Sequence, residues 1–75
     1  MSVISKEQLA MLRNAFPIGC EVVLDKMDDE KAPPVGTIGR VIVVDDYGTI
    51  HVQWADGSTL GVVYPDDKCH RVHAN

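Results

Sequence analysis

The side chains best suited to metal binding or nucleophilic chemistry are Cys20, Cys69, His70 and His73. If the first and last strands pair, Cys20 comes beside the other three, and two cysteines with two histidines make a tetrahedral zinc set. The spacing argues against it. Cys69 and His70 are adjacent, and neighbours on a strand point to opposite faces. No CxxC pair is present. The cysteines therefore read as small buried apolar side chains, with a Cys20–Cys69 disulfide or a zinc- or redox-linked structural role as the alternative. His70 and His73 read as a surface strand and the chain end. A Cys–His nucleophile would also need an oxyanion hole and a cleft. A chain of 75 residues has little wall to spare for one. The acids cluster as Asp28-Asp29-Glu30, Asp45-Asp46 and Asp66-Asp67, which reads as solvated loops. No glycine-rich loop leads into a helix, so no nucleotide site is expected. The expectation is a protein that is not an enzyme and uses no cofactor.

Composition narrows the class further. Hydrophobic residues make up 45% and charged residues 24%, as in an ordinary globular domain, and the length allows one small domain. Seven Lys and Arg against eleven Asp and Glu give a net charge of -4. Nucleic-acid modules of this size are usually basic, so that role is the runner-up. It would use Arg40, His51, Gln53 and Arg71. No stretch approaches the ~20 apolar residues of a membrane span. Lys6 and Glu7 interrupt the apolar start, so no signal peptide is expected and the expected location is cytoplasmic.

The elements that would position these residues fall into two parts. Residues 1–15 carry an amphipathic helix, and residues 16–75 form the β part of the same domain. Ser5 and Gln8 have the spacing of a capping box, and Ile4 and Leu9 that of a hydrophobic staple. Leu9, Leu12 and Phe16 recur at helical spacing, with Met11 and Ala15 flanking the stripe. Pro17 ends the helix. Five strands follow, over 20–25, 36–45, 49–54, 59–63 and 68–72, punctuated by glycine and proline. In the second, Thr37, Gly39, Val41 and Val43 alternate with Ile38, Arg40, Ile42 and Val44. In the third, Ile50, Val52 and Trp54 face the core, and His51 and Gln53 face water. Asp56-Gly57 and Asp46-Tyr47-Gly48 mark hairpins. Residues 26–35 form a longer acidic loop with Pro33-Pro34, and Asp66-Asp67 makes one helical turn. The predicted fold is mainly β: a five-stranded SH3-like barrel, closed to hide its edges, with a short N-terminal helix.

Several blocks together carry a family resemblance. They are Phe16-Pro17-Ile18-Gly19, Met27-Asp28-Asp29, Ala32-Pro33-Pro34-Val35-Gly36-Thr37-Ile38-Gly39, Val44-Asp45-Asp46-Tyr47-Gly48 and the run from His51-Val52-Gln53-Trp54 through Asp56-Gly57 to Leu60-Gly61. In that order they resemble the DUF4314 domain over about residues 16–72. The resemblance implies a small bacterial or phage domain of unknown function with an SH3-like barrel, and a more distant similarity runs to ribosome-associated KOW-type barrels. It implies no catalytic residues. Ligands of SH3-like barrels meet the long first loop, the next hairpin and the turn before the last strand. The expected binding residues are thus Met27, Asp28, Asp29, Tyr47 and Tyr64. Two tyrosines among acids suit a basic or proline-containing peptide. The expected partner is a protein or peptide, with no membrane involved.

Overall fold

A computed structural model describes residues 4–63 and 66–72. Helix α1 (Lys6–Ala15) is followed by strands β1 (Glu21–Lys26), β2 (Ile38–Val44), β3 (Thr49–Trp54), β4 (Gly61–Val63) and β5 (Lys68–Arg71).

The helix starts where a capping box allows it. The Gln8 N–H donates to the Ser5 hydroxyl at 3.1 Å, and the Ser5 N–H donates to the Gln8 side chain at 3.2 Å. Such a cap contributes about 1 kcal/mol. Glu7 in the first turn and Arg13 in the last suit the helix dipole. Ten residues are too few to hold a helix alone in water. Packing supplies the rest, because Leu9, Leu12 and Phe16 lie against the β core. Arg13 ties the helix down by donating to the Val44 carbonyl at 3.1 and 3.2 Å and to Asp46 at 2.9 Å. Met11 departs from the expected stripe and is exposed, on the side of the helix turned away from the core. Ile4 sits over Gly48. A Cβ on Gly48 would lie 2.6 Å from the Ile4 Cδ1, and its φ of +84° already favours glycine.

The strands form one antiparallel sheet in the order β4-β3-β2-β1-β5. Its inner face buries Val22, Leu24, Val41, Val44, Ile50, Val52, Trp54 and Val62. Alternation in β3 is as expected, and Trp54 is only 2% exposed, with its indole N–H donating to the Leu60 carbonyl at 2.9 Å. Gly39 lies beneath that ring. A Cβ there would stand 2.4 Å from Val52 and 2.7 Å from Trp54, so the close approach of β2 and β3 depends on a missing side chain.

β2 departs from simple alternation. The register against β3 shifts between Val41 and Val43, so Ile42 and Val43 together oppose His51. The extra residue is a β-bulge. It turns both Ile42 and Val43 outward and Val44 inward, whereas strict period two pairs Val43 with Val41 and leaves Val44 on the other face. β2 also starts two residues later than expected, since Gly36 takes a φ of +94°. β4 is shorter than expected at three residues.

The sheet is not closed. β4 and β5 stand at its two ends and do not pair, against the expectation of a complete barrel. The reason lies at Val63, whose backbone groups are occupied by Asp67. The Val63 N–H donates to Asp67 Oδ2 at 3.1 Å, and the Asp67 N–H donates to the Val63 carbonyl at 2.9 Å. Asp66 and Asp67, where one helical turn is expected, lie in a turn and a bend before β5.

Candidate functional site

Residues 27–29 and residue 47 lie at opposite ends of β2. The seven residues of that strand separate them by up to roughly 20 Å. Met27 is half-buried against the core and contributes packing. Asp28 and Asp29 are exposed, but both are tied into hydrogen bonds. The Asp28 N–H donates to Asp67 Oδ1 at 3.0 Å, and the Asp29 carboxylate accepts the Lys31 N–H at 2.8 Å. Tyr64 lies outside the described residues. Tyr47 and the acidic loop are therefore not joined into one site.

The Tyr47 end is the more built of the two. Asp45 accepts the N–H groups of Tyr47 and Thr49 at 2.9 and 3.0 Å, and meets His51 Nε2 at 2.8 Å. The Gly48 N–H closes the turn on the Asp45 carbonyl at 3.0 Å. Burial works to raise the Asp45 carboxyl. The hydrogen bond from His51 and the two amides outweigh it and hold the group below its usual value of 3.8. With the backbone so fixed, the Tyr47 side chain stands 88% exposed. Next to this turn, the bulge presents Ile42 and Val43 outward, and Val63 is exposed on β4, where its register partner is Thr49. The sequence hid the outward Ile42–Val43 pair, because the bulge is set by pairing with β3.

Cys69 and His70, adjacent members of the candidate zinc set, face opposite sides of the sheet. Cys69 pairs with Leu24 on the inner face, whereas His70 pairs with Val23 and bonds both Asp25 oxygens at 2.8 and 2.9 Å. His73 lies outside the described residues. Among the described residues no group of three or more potential ligands converges. Both cysteines are free, half-buried thiols. Burial, with Asp25 and Cys20 nearby, pushes Cys69 up to about 12. Burial also raises Cys20, against the pull of Arg71. Thiols so held are protonated near neutrality and are poor nucleophiles.

The residues of the runner-up nucleic-acid face are divided as well. Arg40 and Gln53 are register partners, and the Arg40 guanidinium donates to the Gly19 carbonyl at 3.1 Å. Arg71 belongs to the next row, with Val22 and Gly39, and adjacent rows face opposite sides of a sheet. No helix among the described residues is long and apolar enough to cross a membrane.

Comparisons with curated proteins and with solved structures found no match. A family model matches residues 5–72, from the N-cap of α1 to the end of β5, so the helix is part of the family unit. The chain belongs to the DUF4314 family, a domain of unknown function.

Proposed function

We propose that this domain is a small non-enzymatic interaction module that binds a protein or peptide through the end of the sheet carrying Tyr47. The carrying observation is that tyrosine, 88% exposed on a turn fixed by three bonds to Asp45. A large aromatic side chain held in water by a rigid backbone loses little freedom on binding, which is the economy that favours tyrosine at interfaces. The outward Ile42, Val43 and Val63 extend the apolar area. The net charge of -4 and the exposed Asp46 favour a partner with basic groups, and Tyr47 offers such a group its ring face.

The architecture is read as an SH3-like barrel in which Asp67 stands in for the last strand pairing. The strand order, with β1 between β2 and β5, supports this reading. The test compares the native chain with Tyr47→Ala as immobilised baits against extract of the native host. The melting temperature should be unchanged, and a discrete set of bound proteins should be lost with Tyr47. Identical captured sets would defeat the proposal. A mobility shift of RNA or DNA at low salt would favour the nucleic-acid reading instead.

A further inference from the structure

The second surface is the free edge of β5, and it has the opposite charge to the rest of the chain. β5 contains Lys68, His70 and Arg71 in four residues, in a chain of net charge -4. The register shifts between Leu24 and Lys26, so Asp25 and Lys26 together oppose Lys68; Asp25 is engaged by His70, and Lys26 and Lys68 remain a like-charge pair that costs stability. Among the described residues, Lys26, Lys68 and Arg71 make no ion pair, and the three contacts that exist use Arg13, His51 and His70.

The backbone of this strand is half used. The Val72 N–H donates to the Glu21 carbonyl at 2.9 Å. With Val22 opposite Arg71 and Val23 opposite His70, antiparallel alternation makes Val23–His70 the next bonded pair. The N–H and C=O groups of Cys69 and Arg71 therefore point away from β1. Leu24 agrees with this phase, since its N–H and C=O bond to Thr37 and Gly36 on the other side. Among the described residues no strand takes up the outward groups of β5, because β5 ends the sheet. The other end is treated differently, with Asp67 filling the bonds of Val63.

We infer that the β5 edge accepts an extended acidic peptide as a sixth strand, bonded to the outward backbone groups of Cys69 and Arg71, with its carboxylates on the face that carries Lys26 and Lys68. Charge selects this occupant. A second copy of the chain pairing β5 to β5 would set basic side chains against basic ones, which is how edge strands resist self-association. A strand with carboxylates at alternate positions relieves the Lys26–Lys68 repulsion and gains main-chain hydrogen bonds together. This surface is distinct from the Tyr47 turn, so the two readings stand or fall separately.

The experiment is an amide NMR titration of the full chain with a short synthetic peptide alternating Glu and Val. The expected result is shift and slowed exchange at the Cys69 and Arg71 amides, with the Tyr47 turn unmoved. The exposed double variant Lys26→Glu, Lys68→Glu should keep the native spectrum and bind at least about tenfold more weakly. The same peptide N-methylated at alternate residues keeps its charge and loses its edge donors, and it should not bind. Equal binding of the methylated peptide, displacement by a DNA oligomer, or self-association through β5 would each overturn the inference.

Discussion

Asp67 and Asp45 both organise a turn by accepting backbone N–H groups, yet they do different work. The donors to Asp67 are Asp28 and Val63, which come from separate parts of the chain. Asp67 as a residue is 9% exposed. The donors to Asp45 are Tyr47 and Thr49, in its own hairpin, joined by His51. The first aspartate ties the acidic loop to the end of β4 across the unclosed side of the sheet. The second gives shape to a surface that projects into water. A buried carboxylate that joins segments distant in the chain holds a fold, and one whose partners all lie in its own hairpin holds a presentation.

The widest gap between the two should appear on removing each. Asp67→Ala leaves the Asp28 and Val63 amides without their acceptor and should cost about 2–4 kcal/mol, read from urea denaturation. Asp67→Asn, which keeps one carbonyl acceptor, should recover part of that. A cost below the Asp45→Ala value would erase the distinction. Gly48→Ala comes next, at about 1–2 kcal/mol, since it combines a left-handed residue with a collision against Ile4. Relief of that cost by Ile4→Ala in the double variant would separate the collision from the backbone term.

Asp45→Ala should cost about 1 kcal/mol, because local, partly solvated bonds are worth less. Acid sharpens the point. The folded Asp45 carboxyl lies below its ordinary value, so its contribution is full above the unfolded value and fades as pH falls through the lowered one. The Tyr47 and Thr49 amide signals should move together in that acid range, and should not in Asp45→Asn. The smallest effect concerns the thiols. With Cys69 pushed up to about 12, thiol reagents at mildly alkaline pH should label it only on unfolding. Rapid labelling of Cys69 in the folded chain would contradict its placement against the core.

The difference between the aspartates also explains what could be read from the residues alone. The helix was legible because Ser5, Gln8 and Pro17 act within a few positions of one another. β3 was legible because Ile50, Val52 and Trp54 alternate without interruption. Tyr47 was placed correctly at a hairpin tip, and Asp45 belongs to that same local grammar. Asp67 reads as a solvated loop acid from its neighbours, because one of its donors, Asp28, lies far away in sequence. Met11 was set beside the packing stripe on spacing alone, and the angle at which α1 docks leaves it in water. Grouping Met27, Asp28 and Asp29 with Tyr47 borrowed a closed-barrel geometry. In an antiparallel meander successive loops fall at alternate ends, and β2 keeps these two apart.

The extra residue at positions 42–43 makes β2 unequal in its tolerance of length change. Deleting one of that pair would leave a regular ladder and keep both Val41 and Val44 inside. Deleting a residue between Gly39 and Val41 would instead invert everything before it, pulling Gly39 from under Trp54. Natural relatives that differ by a single-residue gap in this strand should therefore carry it at the bulge.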